Sequence, residues 1–247
     1  MLADGTIAVQ VGALAPTVLP NAGSLSQLIN FICRELPRWR DRPERPVAEA
    51  EGVLTSQLCA HLNSAARHSG WDFLQFRTEE PDTVEAGRRI DLIAAPSDCA
   101  IWVEGRRHVD FDTLLPMECK RLPTPKGPRR DKREYLFCRH TSTGGVDRFK
   151  RGLHGAAHQL ALMIAFIQEG DVTRWERRIA RWTAGLARAG ISGWVRSDSL
   201  SLENIDAEAR CSTLVSRHSR NGLSELELRH LWIEMSIGSP PLGKTLA

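Results

Sequence analysis

The chain has 247 residues, 42% of them hydrophobic, and its 33 Lys and Arg against 30 Asp and Glu give a formal net charge of +3. That is enough apolar material for a real core in one large domain, which excludes a disordered chain, and so mild a charge does not by itself announce a nucleic-acid partner. Six cysteines at 33, 59, 99, 119, 138 and 211 form no CxxC pair and no Cys/His zinc spacing, which reads as reduced thiols in a cytoplasmic protein.

The stretch MLADGTIAVQVGALAPTVLP lacks the basic start of a secretory signal, so residues 1–22 are expected to be an irregular or partly extended arm. A first helix is predicted from Ser24 to about Trp39 on the spacing of Leu25, Leu28, Ile29, Ile32 and Leu36, ending in RWRDRPERP. Arm and helix together, 1–46, are expected to precede a main domain at 47–247. A second helix follows Pro46. Projected at about 100° per residue, Glu51 falls within the stripe of Leu54, Leu58 and Leu62, whereas Glu49 falls opposite. This inward carboxylate either reaches water or an amide at the helix start or serves a site.

Strand signals follow Gly70 in FLQFR (73–77), RRIDLIAA (88–95), an excursion IWVEGRRHVDF with a turn at Gly105, and TLLPMECKRL (113–122), together an antiparallel meander. In the last run, period-two alternation puts Glu118 and Lys120 on one face and Met117, Cys119 and Arg121 on the other. Opposite charges two apart in an apolar strand are either an ion pair of little energetic worth or a site. Asp91 has the same two readings, with Arg88 or Arg89 as its ion-pair partner. The Pro-rich loop 123–134 is expected to be a flap. From Lys120 to Arg139 eight cations face two acids, an excess that suits phosphate contact or simple solvation.

Beyond Gly145, VDRFKRGLHGAAHQLALMIAFIQEG is predicted to be one helix ending at Gly170, with Phe149, Leu153, Ala156, Leu160, Ile164 and Ile167 as its apolar face and Arg148, Lys150 and His154 on the polar side. Its apolar run 160–167 is too short to span a bilayer. A charged helix running to Gly190 carries Trp175 and Trp182 as a core stripe, and ISGWVRSD (191–198) reads as a short strand. ARCSTLVSRHSR and LELRHLWIEMSI form a terminal strand pair turning at Asn221 and Gly222, in which His230 is expected to be packed or hydrogen-bonded. The order of elements is that of a mixed α/β (α+β) fold.

Glu51 on a helix, Asp91 on the next long strand and the Glu118-x-Lys120 pair on the one after resemble the PD-(D/E)XK nuclease superfamily over roughly residues 47–196. The resemblance implies a restriction-endonuclease-like core, a central mixed sheet with an antiparallel hairpin flanked by helices, and a Mg²⁺-dependent endonuclease (Mn²⁺ as substitute) acting on DNA in a bacterial defence or repair setting. Under it Glu51, Asp91, Glu118 and Lys120 are catalytic. The metal falls to Asp91, Glu118 and the backbone carbonyl of Cys119, with Glu51 as an optional further ligand. Lys126, Arg129, Arg130 and Arg148 are the expected nucleic-acid contacts. Two departures stand out: Ile90 occupies the place of the family's Pro, and the long gap from Asp91 to Glu118 implies an inserted hairpin at 96–111. Two other readings stay open, a non-catalytic nucleic-acid-binding or assembly subunit and a nuclease active only with a protein partner or as a homodimer. No membrane association is expected.

Overall fold

The computed structural model describes residues 17–18, 24–82, 88–103, 105–191 and 193–235. In chain order the elements are β1 (Thr17–Val18), α1 (Ser24–Arg40), α2 (Glu51–Arg67), β2 (Leu74–Pro81), β3 (Arg89–Pro96), β4 (Ala100–Val103), β5 (Arg106–His108), β6 (Leu115–Leu122), α3 (Gly145–Lys150), β7 (Leu160–Ile167), α4 (Val172–Arg188), β8 (Ser201–Asp206), β9 (Cys211–Arg220) and β10 (Leu223–Glu234). The fold is α+β.

Seven strands make a mixed sheet in the order β2-β3-β6-β7-β10-β9-β8. Its middle is parallel, β6 with β7 and β7 with β10, and both flanks are antiparallel. Both faces are covered. Leu162, Ile164 and Phe166 of β7 join a core with α1 and α2, through residues such as Leu28, Ile32, Leu36, Trp39, Leu54 and Leu58. The alternate residues Ala161, Met163, Ala165 and Ile167 join a second core with Val146, Phe149, Trp175 and Ile179 of α3 and α4. Each large side chain so buried contributes roughly 1.5–3 kcal/mol, and both cores draw on the same central strand.

This double burial corrects the helix predicted over 145–170. Only Gly145–Lys150 is helical, and LALMIAFI is strand β7, so Gln159 lies just ahead of a strand. A strand covered on both faces has no polar positions to betray period two, and a continuous apolar run then mimics a buried helix. The predicted strand at 191–198 is instead a single 3-10 turn at Arg196–Asp198. Strand β8 escapes the sequence reading because all six of its residues are exposed at the sheet edge.

The expected meander is real only in part. β2, β3 and β6 are antiparallel neighbours, but β4 and β5 leave the main sheet as the inserted hairpin, turning at Gly105 with φ 78 and pairing with β1 in a small three-stranded sheet. Apart from the β1 backbone, the N-terminal arm up to residue 23 lies outside the described residues, as does the end of the last predicted strand beyond Met235. Helix α1 shares the α2 core. Among the described residues no helix is long and apolar enough to cross a membrane.

Candidate active site

The pairing of β3 with β6 runs only over Leu92–Ala94 against Met117–Leu115. Past Met117 the two strands part, while β6 keeps its other neighbour β7 as far as Leu122. The amides of Cys119 and Arg121 on the vacated side therefore lose their ladder partners, and a buried N–H without an acceptor is costly. Two carboxylates take the place of the missing strand. Cys119 N–H donates to Asp91 Oδ2 at 2.9 Å, and Arg121 N–H donates to Glu51 Oε2 at 3.0 Å.

Glu51 gets there because it is the first residue of α2, in line with Leu54, Leu58 and Leu62, all of which are fully buried. The RPERP segment ahead of it sets the helix start, and Ala50 caps with no side chain. Asp91 shares its face with Glu118, since Leu92 sits opposite Met117. Thus the parity argument for MECKR places Glu118 and Lys120 together, on the face away from Met117 and Cys119, which belong to the α1/α2 core.

Lys120 is the centre of the cluster. Its Nζ lies 2.9 Å from Glu118 Oε1, 3.1 Å from Glu51 Oε1, 3.3 Å from Asp91 Oδ2 and 2.9 Å from the Cys119 carbonyl oxygen. Glu118 is fully buried and both of its oxygens are engaged: Arg148 donates to Oε1 at 2.6 Å and His154 Nδ1 lies 3.1 Å from Oε2.

These neighbours separate the acidities of the two strand carboxylates. Burial works against the Glu118 carboxylate, but Lys120, the His154 hydrogen bond and Arg148 outweigh it and take Glu118 down to about 2. Burial, reinforced by Glu118, pushes Asp91 up to about 6 against the pull of Lys120 and the Cys119 amide. For Lys120 burial disfavours the ammonium, yet Glu118, Asp91 and Glu51 together hold it well above the ordinary lysine value. Three carboxylates face two permanent cations, and the cluster opens through Asp91 into a cleft of about 370 Å³ lined by Glu79, Arg88, Arg89, Arg148 and His154.

The donors that converge here are all oxygens, the type that a hard cation takes. They come from Asp91, Glu118, Glu51 and a backbone carbonyl, and a positive charge already stands there. That charge is the lysine ammonium. Among the described residues no group of three or more His, Cys, Asp and Glu side chains is arranged to hold a metal ion. The residues fit Mg²⁺ by donor type, and its entry requires the Lys120 ammonium to leave the centre.

The remaining predicted residues fall into different places. Arg148 is drawn into the cluster on Glu118 and lines the cleft beside it. Lys126 and Arg129 are exposed on the loop after β6, and Arg130 beside them pairs with Glu134 at 2.7 Å while lying close enough to Glu51 to feel its charge. The polar helix face predicted for Arg148, Lys150 and His154 dissolves with the helix: Lys150 is buried on Asp198 at 2.8 Å, and a turn through Gly152 and Gly155, both at positive φ, returns His154 to Glu118. Gly144-Gly145 is the local signal for this close approach. A Cβ on Gly144 would lie 2.5 Å from the Phe137 backbone, and one on Gly145 2.9 Å from the Tyr135 carbonyl and 3.5 Å from the Lys120 stem.

Behind α3 a second polar system is buried. Trp232 Nε1 donates to Tyr135 Oη at 2.8 Å, and Tyr135 Oη is 2.7 Å from His230 Nδ1. His230 Nε2 is 2.8 Å from Ser216 Oγ, which is 2.7 Å from His218 Nε2, and His218 Nδ1 is 2.8 Å from Asp198 Oδ1. An indole can only donate and a carboxylate can only accept, so the proton order is fixed from both ends. Tyr135 donates to His230 Nδ1, His230 Nε2–H to Ser216, Ser216 to His218 Nε2, and His218 Nδ1–H to Asp198. Both histidines are neutral in opposite tautomers. Burial, their chief influence, lowers the pKa of each below the ordinary imidazole value. His230 is thus hydrogen-bonded in the core, as expected from the sequence.

Comparison with family models, with curated proteins and with solved structures found no match to this chain.

Proposed function

We propose that the chain is a metal-dependent nuclease of the restriction-endonuclease-like type, hydrolysing phosphodiester bonds of DNA at the Glu51–Asp91–Glu118–Lys120 cluster. The observation that carries this reading is the convergence of four oxygens, from one helix and two strands, on a single cation position beside an arginine-lined cleft. Burying Glu118 and Lys120 costs several kcal/mol per ion before pairing, an arrangement that a purely structural sheet has no need of.

In this reading Asp91, Glu118 and the Cys119 carbonyl would hold Mg²⁺, with Glu51 as a further oxygen donor. When bound there it supplies Lewis-acid stabilisation of charge on the attacked phosphate. The chain's own groups do the rest. Arg148 and the cleft arginines hold the phosphodiester, and Lys120, released from the centre, lies beside the attacking water and favours its deprotonated form. Water oxygen bonds to phosphorus as the ester P–O bond breaks; the water's proton passes to solvent, and the departing alkoxide oxygen takes a proton from solvent. The setting in defence or repair rests on the resemblance alone.

A second reading is favoured by one observation. Glu118 has both oxygens engaged and the Lys120 ammonium is saturated by four acceptors, so the two buried members of the cluster satisfy each other as a structural knot would. A non-catalytic subunit, or a nuclease opened only by a partner, has this form. Cleavage of plasmid and linear DNA with Mg²⁺ or Mn²⁺ decides between them. The nuclease reading expects Asp91→Ala and Lys120→Ala each to lose about 100-fold or more in rate; activity surviving both changes, or absent from the wild type with either metal, overturns it.

A further inference from the structure

A shallow concavity of about 640 Å³ lies between the loop that follows β6 and helix α4, away from the Asp91 cleft. Arg130, Lys132, Arg133, Arg139, His140 and Trp182 form its wall together with one acid, Asp131. Two of its cations are spent locally, Arg130 on Glu134 and Arg133 on Asp131. Lys132 and Arg139 are exposed and make no ion pair among the described residues, and His140 beside them is exposed too.

Trp182 is placed unlike the other tryptophans of the α3/α4 core. Trp175, Trp194 and Trp232 are buried, each with its indole N–H donated to a protein oxygen. Trp182 is half-buried at the edge of the α4 apolar stripe, tilted against Trp175 at 6.2 Å, and no indole hydrogen bond forms among the described residues. Projected at about 100° per residue, Arg174, Arg178 and Arg181 lie on its outer side, within roughly 100° of it. Arg178 stands over the ring at 5.7 Å, and Glu176 is the one acid that α4 sets against its five arginines.

We propose that this concavity is a subsite for a single-stranded stretch of nucleic acid, with a base stacked on Trp182 and the flanking phosphates on Lys132, Arg139 and the outer arginines of α4. An aromatic ring set among unpaired cations matches the two faces of a nucleotide, its flat base and its anionic backbone. Stacking on a side chain requires a base already out of a duplex, which selects single strand over blunt duplex. The concavity is open rather than enclosed, which fits a polymer better than a free nucleotide. Its loop follows β6, the strand that carries Lys120, and Arg130 on its rim lies within electrostatic reach of Glu51, so a strand held here leads toward the cluster. The identity of the polymer rests on the nuclease reading; the subsite itself rests on this wall.

Binding is measured by fluorescence anisotropy with the full chain in EDTA, so that no cleavage occurs. The probes are a labelled oligothymidylate of about a dozen nucleotides, a blunt duplex of the same length, and oligoglutamate as an anionic competitor. The single strand should bind tighter than the duplex and resist oligoglutamate. Trp182→Ala should weaken it about 10-fold, as the loss of one stacked base does, while Trp182→Phe keeps most of the affinity. Lys132→Glu with Arg139→Glu should lower affinity and flatten the salt slope by about 1.4, two phosphate contacts at about 0.7 each. Trp182→Leu keeps apolar volume without an aromatic face, so it reports on stacking even if the alanine variant does not fold. Unchanged affinity in both the Leu and the double-charge variants, equal binding of the duplex, or equal competition by oligoglutamate would each overturn the subsite. The two readings fail separately: Trp182-dependent binding without cleavage leaves the subsite and removes the nuclease, and Asp91-dependent cleavage with Trp182-independent binding does the reverse.

Discussion

The amide of Cys119 donates to Asp91 Oδ2 at 2.9 Å immediately beyond the last paired residues of their two strands, Leu92 and Met117. The site exists because the sheet splits there. Two freed amides recruit two carboxylates, and the lysine between them follows from strand alternation.

Lys120→Met tests whether the converging oxygens are a cation site. In EDTA the variant leaves three carboxylates facing one another with their central charge gone, and a stability loss of roughly 3–5 kcal/mol is expected. Millimolar Mg²⁺ should then raise its denaturation midpoint more than it raises that of the wild type, because the metal no longer competes with the ammonium. Equal metal responses in the two proteins would contradict the shared position.

Glycine at 144 is required by approach, not by a turn. Gly144→Ala puts a Cβ 2.5 Å from the Phe137 backbone, which has no flexible end to yield, and should cost about 1–3 kcal/mol or more. Gly52→Ala in α2 meets nothing within 4 Å and should be neutral or stabilising by up to about 1 kcal/mol. Urea denaturation of both variants compares them directly.

The buried chain from Trp232 to Asp198 predicts its own proton positions. Nitrogen NMR should find His218 protonated at Nδ1 and His230 at Nε2, both neutral at pH 7. Ser216→Ala removes the acceptor of one and the donor to the other, and a loss of about 1–3 kcal/mol for each stranded group is expected. Two like tautomers, or an imidazolium, would break the ordering.

Acid should destabilise the protein through the same two residues. Their folded pKa values are depressed, so the unfolded chain binds the proton first, and stability that is full above about pH 6.5 falls as the pH drops below it. Asp91 acts in the opposite sense, since its folded value of about 6 exceeds the unfolded one and protonation between about pH 6 and 4 favours the fold. Denaturation midpoints at pH 7.5 and 5.5 should therefore decline, more steeply in Asp91→Asn than in the wild type.

What the sequence determined by itself was local and periodic. The helical stripe through Glu51, Leu54 and Leu58 and the alternation of Glu118 and Lys120 are consequences of 3.6 and 2.0 residues per repeat, and both were legible before any fold. The hairpin at Gly105 and the turn at Asn221-Gly222 were legible for the same reason, since their backbone demands fall on a few adjacent residues. The tertiary structure decided what periodicity cannot carry. LALMIAFI became a strand because neighbours cover both of its faces, and nothing within eight apolar residues records that. Arg148 and His154 went to Glu118, and Lys150 to Asp198, because charges buried by distant segments must find partners across 30 to 48 residues of chain. Side-chain type fixed which groups needed partners; packing alone chose them.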